Sequence, residues 1–230
     1  MSLVLVGDIH GDFNVLDKVS HKHMTDTVIQ VGDIGFWPQL EDKWIQETLM
    51  SHVKFYFIEG NHDWLPPLIN HSSEGIREVW PKLKYVPRGT VLTLEGYRIG
   101  FLGGAKSIDR AWRVQDSVDH GWFESEQVTD SEVDLLIAQD PDIYITHAAP
   151  ASVVARNFNP EVPSKMFRHK NWIDETAIRL DKIANTCKPM YCGHMHKSVK
   201  DGNVTILAIN EILVIPSKGE SHEQEAEPVS

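Results

Sequence analysis

Side chains of metal-ligating type recur in five short segments of this chain: Asp8 with His10, then Asp33, Asn61, His147, and finally His194 with His196. Alternate residues of an extended segment project to the same side. Asp8 and His10 can therefore face one centre, as can His194 and His196. The set offers carboxylate oxygen, amide oxygen and imidazole nitrogen but no thiolate, which suits Mn²⁺, Fe, Zn²⁺ or Ni²⁺ better than a soft-metal site. Seven ligands are too many for one open tetrahedral ion but fit two ions that share a bridge. Each piece alone has a blander reading. A lone histidine after a strand is more often a satisfied structural residue, and Asn61 could simply be a turn residue that tolerates left-handed geometry. The whole ordered series is what favours metal binding.

These residues need elements to bring them together, and the chain supplies them. Short apolar runs at Leu3–Val6, Thr27–Val31, Phe55–Ile58, Ile143–Thr146 and Met190–Cys192 read as buried strands. Their continuous apolarity predicts cover on both faces. Each run leads into a polar, Gly-rich or His-bearing segment: Gly7-Asp8-Ile9-His10-Gly11, Gly32-Asp33-Ile34-Gly35, Gly60-Asn61-His62-Asp63 (through Glu59), His147, and Gly193-His194-Met195-His196. Ligands of layered α/β proteins gather beyond the carboxyl ends of strands. Helices are predicted from a cap at Asp12 to about His21, over Glu41–Met50, over Ser131–Ala138 and over Asn171–Asn185. Two hairpins are predicted, Thr90–Leu94 with Arg98–Leu102 around Glu95-Gly96, and Ser198–Lys200 with Val204–Ala208 around Asp201-Gly202. The expected fold class is therefore α/β with mixed sheets. The expected organisation is one domain over residues 1–216 followed by an acidic disordered tail, 217–230.

Composition narrows the function. The chain has 230 residues, enough to bury a core without a structural metal, so a bound metal would serve chemistry. The formal net charge of −11 argues against a broad basic face that tracks a nucleic-acid backbone. Nucleotides and short oligonucleotides stay open as ligands, because bound cations invert the local sign. No apolar stretch approaches the ~20 residues that span a membrane. With only Cys187 and Cys192, and no basic secretory opening, a reducing cytoplasm is the expected setting and two thiols are favoured over a disulfide.

The ordered series Asp-x-His, Gly-Asp, Gly-Asn-His-Asp, a lone His and Gly-His-x-His, running from residue 7 to residue 196, resembles the calcineurin-like metallophosphoesterase family. The resemblance implies a four-layer αββα sandwich of two mixed sheets flanked by helices. It also implies that Asp8, His10 and His196 ligate one metal, that Asn61, His147 and His194 ligate the other, and that Asp33 bridges them. His62 then matches the family's non-ligand histidine, which contacts the scissile phosphate and protonates the leaving group. Two divalent ions, Mn²⁺ foremost with Fe, Zn²⁺ or Ni²⁺ as alternatives, would leave the centre net positive toward phosphate. A hydroxide between them, formed because metals lower the pKa of water to about 7, would attack phosphorus in line.

Two stretches bear on the substrate. Many family members carry Asp, often followed by Arg, three residues after the bridging Asp; here Phe36 and Trp37 stand there. This argues against a close match to the Ser/Thr protein phosphatases and leaves Asp63 as the candidate partner of His62. The segment Gly103-Gly104-Ala105-Lys106-Ser107-Ile108-Asp109-Arg110 resembles a stretch found in bacterial and phage members. Within and after it, Arg110 and Arg113 are candidate phosphate contacts, set against surface ion pairs. Trp112 or Trp122 could stack on a base, set against ordinary packing. The leading expectation is a phosphomonoesterase or phosphodiesterase acting on a nucleotide or other small phosphate ester. The alternatives are a protein phosphatase, a dinucleoside-polyphosphate hydrolase, or a catalytically inert metal-binding scaffold.

Overall fold

The computed structural model describes residues 2–22, 25–37, 53–65, 68, 75–80, 82–107, 122–158 and 173–219. Among these, two six-stranded mixed sheets form the frame. The first has β1 (Ser2–Val6), β2 (Thr27–Gln30), β3 (Lys54–Phe57), β4 (Arg77–Trp80), β5 (Leu83–Tyr85) and β12 (Ile212–Pro216), in the order β12-β1-β2-β3-β5-β4. The second has β6 (Thr90–Leu94), β7 (Tyr97–Leu102), β8 (Ile143–Thr146), β9 (Met190–Cys192), β10 (Val199–Asp201) and β11 (Val204–Ile206), in the order β10-β11-β9-β8-β7-β6.

Both sheets are parallel at the centre and antiparallel at the rims. β1, β2, β3 and β5 run parallel, as do β7, β8, β9 and β11. β12, β4, β6 and β10 each pair antiparallel with their neighbour. The two sheets face each other across one apolar layer. Leu3, Leu5, Ile29 and Ile58 of the first pack with Ile99, Phe101, Ile143 and Ile145 of the second. On the far side of the first sheet, α1 (Asn14–Lys22) contributes Val15, Leu16 and Val19 to a second core with Val4, Val28 and Phe55. Beyond the second sheet, α2 (Asp130–Ala138), α3 (Ala151–Asn157) and α4 (Glu175–Ala184) form a third core with Tyr144, Met190 and Cys192. This is the expected αββα layering, and it explains the unbroken apolar runs: the central strands are covered on both faces.

Local chemistry sets the helix ends. Thr129 accepts from the Glu132 amide while the Glu132 carboxylate accepts from the Thr129 amide, a capping box. Asp174 caps the Ala177 amide, so the helix predicted from Asn171 begins at Glu175. Both predicted hairpins are present, with strands of Thr90–Leu94 and Tyr97–Leu102, and of Val199–Asp201 and Val204–Ile206. The strands β4, β5 and β12 and the helix α3 had no sequence expectation. β4 and β12 are edge strands, and β4, β5 and α3 are too short to show a clear period. The helix predicted over Glu41–Met50 lies outside the described residues, as does most of the acidic tail. Both cysteines are free thiols, Cys187 exposed and Cys192 buried. No helix among the described residues is long and apolar enough to cross a membrane.

Candidate metal centre

The segments after β1, β2 and β3, after β8 and after β9 meet along one end of the two sheets. Backbone hydrogen bonds lock them to one another. The His10 amide donates to the Asp33 carbonyl at 2.9 Å, Gly193 to His147 at 3.0 Å, and Asn210 to Asp8 at 2.9 Å. Several residues there take left-handed backbone geometry: His10 (φ 44°), Asp33 (55°), His194 (65°) and His196 (54°). Each such conformation costs on the order of 1–3 kcal/mol and persists only where the surroundings over-determine it. Gly32, at φ 103°, is a position a side chain cannot fill: a Cβ there would sit 2.4 Å from His147 Nδ1. A Cβ at Gly193 would sit 2.1 Å from Asp8 Oδ1.

Two groups of ligand-type atoms result, each with its atoms within 4.8 Å of one another. One comprises Asp8, His10, Asp33 and His196; the other comprises Asp33, His147 and His194. Asp33 belongs to both. In the first group, His196 Nε2 is 3.1 Å from Asp8 Oδ2, and His10 Nε2 is 3.1 Å from His196 Nε2. In the second, His147 Nε2 is 3.4 Å from Asp33 Oδ2 and 3.3 Å from Asn61 Oδ1, which brings Asn61 into the same cluster. His194 joins through its ring, whose centroid lies 5.2 Å from that of His147.

Hydrogen bonds orient several of these atoms. His147 Nδ1 is 3.0 Å from the Val31 carbonyl, which can only accept, so Nδ1 carries a proton and Nε2 is the nitrogen turned toward Asp33 and Asn61. Asp33 Oδ1 accepts the His62 amide at 2.8 Å. Its Oδ2 is buried without a hydrogen-bond partner among the described residues, turned toward His147 and, at 3.9 Å, toward His10. A buried carboxylate oxygen rarely stays unsatisfied. A cation on each side of it would satisfy it, and the donor set fits.

Electrostatics agree. Burial alone would push the Asp33 carboxyl up, but the adjacent His147 outweighs it and holds Asp33 well below the usual carboxylate range. Burial would push the His147 imidazole down, yet the Asp33 charge, with Asp8 behind it, lifts it to about 10. The cluster thus attracts positive charge. Burial, reinforced by His147, pushes His194 down to about 3 and keeps it neutral, the form that binds metal.

His62 stands at the open side, half-buried, its ring edge-on to His10 at 5.5 Å between centroids. Its backbone is held at both ends: the amide by Asp33, and the carbonyl by Trp37 Nε1 at 2.9 Å. Trp37 therefore braces the His62 loop.

Asp63 is placed otherwise than expected. Its Oδ1 accepts the amides of Gly35 and Phe36, both at 2.9 Å, and its Oδ2 those of Gly60 at 2.8 Å and Ile34 at 3.4 Å. The carboxylate ties the β2 and β3 loops together rather than orienting the His62 ring. Burial and the charge of Asp33 raise it to about 7, against the pull of those amides. Arg110, Arg113 and Trp112 lie outside the described residues. Trp122 lines a cavity of ≈ 830 Å³ with Tyr85, Arg88 and Phe123.

Sequence reasoning missed four supporting residues. Glu59, fully buried, accepts from Tyr85 Oη at 3.0 Å and Arg88 Nε at 2.5 Å, and so anchors the end of β3 next to Gly60 and Asn61. Ser107, also buried, accepts the Asn61 amide and in turn donates to the buried Glu126. Ser107 lies inside a motif that was legible; Glu59, Arg88 and Glu126 carried no local signal.

Residues 1–198 match the family model described as calcineurin-like phosphoesterase. No curated protein matches the chain. A solved crystal structure 10% identical to it superposes with a TM-score of 0.52, over 94% of this chain and 99% of its own length. That likeness concerns the fold.

Proposed function

The chain belongs to the calcineurin-like phosphoesterase family, and on that premise we propose that it is a dinuclear-metal hydrolase of small phosphate mono- or diesters, a nucleotide among the favoured substrates. The observation that supports this reading is the membership of Asp33 in both ligand groups. In the proposal Asp8, His10 and His196 would hold one ion, Asn61, His147 and His194 the other, and Asp33, a member of both groups, would serve both. Two divalent ions bound there, Mn²⁺ foremost, would acidify water and would offset the negative charge of a phosphate ester.

The chain's own groups do the rest. His62, half-buried beside His10 and pinned by Asp33 and Trp37, is positioned to give a proton to the leaving alkoxide. Asp63 keeps the Gly32–Gly35 and Gly60–Asn61 loops at fixed separation, and so keeps Asp33 in reach of both groups. Arg110 and Arg113 are proposed as substrate contacts, so that Arg110→Ala or Arg113→Ala raises KM on the true substrate. The proposed domain runs to residue 216, supported by the pairing of β12 with β1. A cytoplasmic setting accords with two free thiols.

The test is turnover of p-nitrophenyl phosphate and its bis ester by chelator-stripped protein before and after Mn²⁺ is restored. Metal-dependent hydrolysis of either supports the proposal. Two ions bound with neither ester cleaved, followed by no hit among nucleotides, cyclic nucleotides, dinucleotides and phosphopeptides, would favour an inert scaffold.

A further inference from the structure

A carboxamide is nearly symmetric in shape but not in chemistry. Its oxygen can ligate a cation; its NH₂ group, whose electron pair is delocalised into the carbonyl, cannot. A site that uses Asn61 therefore needs something to decide which end of the amide faces inward.

The structure contains such a device. Asn61 Nδ2 donates to Ser107 Oγ at 3.2 Å, and Ser107 Oγ donates to Glu126 Oε2 at 2.5 Å. All three residues are buried: Asn61 and Ser107 are 1% exposed, Glu126 0%. The direction of the chain of bonds follows from donor counts. An ionised carboxylate only accepts, and a hydroxyl has one proton. The Ser107 proton goes to Glu126, at a length typical of a charge-assisted O–H···O⁻ bond. Ser107 then offers lone pairs to Asn61, and the amide must answer with NH₂. Its oxygen is left pointing the other way, 3.3 Å from His147 Nε2.

Glu126 is itself held in place. Arg88 donates to the carbonyls of Ser125 at 2.8 Å, Gln127 at 3.0 Å and Glu126 at 3.2 Å, and the same guanidinium is paired with Glu59, two residues before Asn61. The links close a ring: Asn61 to Ser107, to Glu126, to Arg88, to Glu59 and back along the chain to Asn61.

We propose that Ser107 and Glu126 are positioning residues that lock the Asn61 carboxamide with its oxygen toward the cation it shares with His147 and His194. This rests on the reading of Asn61 as a metal ligand. It makes the two cation positions unequal, because only one of them depends on the Ser107–Glu126 pair.

The experiment is calorimetric titration of the metal-free full chain with Mn²⁺, using the parent, Ser107→Ala, Glu126→Gln, Asn61→Ala and the Ser107→Ala/Asn61→Ala double variant. Thermal melts of the metal-free proteins run alongside. The parent is expected to take up two ions. Ser107→Ala and Glu126→Gln should weaken one of them by about 10–100-fold, the usual effect of removing a group that orients a ligand, and leave the other unchanged. In the Asn61→Ala background Ser107→Ala should add no further loss, which a general packing defect would not mimic. If Glu126→Gln does not fold, the smaller Ser107→Ala change decides. Parent-like binding in Ser107→Ala, equal weakening of both ions, or additive losses in the double variant would overturn the proposal. Failure of the parent itself to bind Mn²⁺ would instead remove the metal-centre reading on which it stands.

Discussion

The buried Oδ2 of Asp33 lies 3.4 Å from Nε2 of His147, the one atom brought by the segment after β2 of the first sheet and the other by the segment after β8 of the second. The contact spans the two sheets. It makes Asp33 the hinge of the whole cluster, since the same oxygen is also 3.9 Å from His10 Nε2. Asp33→Asn removes the charge both positions share. The expected outcome is impaired binding of both ions, read by elemental analysis after desalting. Retention of both at parent levels would reject the bridging role.

Among the described residues His62 belongs to neither ligand group, and its backbone amide and carbonyl are held by Asp33 and Trp37. His62→Asn should keep the metal content and slow turnover of an alkyl phosphate ester by at least ~100-fold, the lower scale of general-acid assistance. Unchanged kcat would remove it from the mechanism.

The backbone at Gly32 combines φ 103° with a Cβ position 2.4 Å from His147 Nδ1. Gly32→Ala should displace the His147 ring and weaken the ion on that side, while far-UV circular dichroism stays that of a folded chain. Full occupancy of both ions in this variant would show that the loop can yield.

Arg88 and Glu59 form an ion pair away from solvent, with side-chain exposures of 9% and 0%. Arg88→Ala leaves the Glu59 charge buried with one partner fewer and should cost about 3–5 kcal/mol in urea unfolding. Arg179→Ala, which breaks surface pairs with Asp130 and Glu175, should cost roughly 1 kcal/mol or less. Comparable losses in the two variants would contradict the distinction.

Cys187 is exposed, while burial pushes the Cys192 thiol up and shields it. Iodoacetamide should alkylate Cys187 in the native protein and both thiols only after denaturation, as mass spectrometry would show. Native labelling of Cys192 would indicate that the third core opens readily.

Side-chain chemistry and local pattern are properties of short segments, and the sequence alone determined them here. The oxygen and nitrogen donors, their Asp-x-His and His-x-His spacing, the five apolar runs and the β6–β7 turn could all be read before any coordinates. The family resemblance and the αββα layering followed from that series. Tertiary structure decided what depends on residues far apart in the chain. It placed Asp33 in both groups, turned Asp63 to the backbone amides of two loops, and gave Trp37 the His62 carbonyl. It also joined Ser107 and Glu126 to Asn61 and recruited the edge strand β12. The reason is physical. A hydrogen bond or a shared ligand across two sheets is set by strand order and by the exact turns after each strand, and neither leaves a periodic mark on the residues involved.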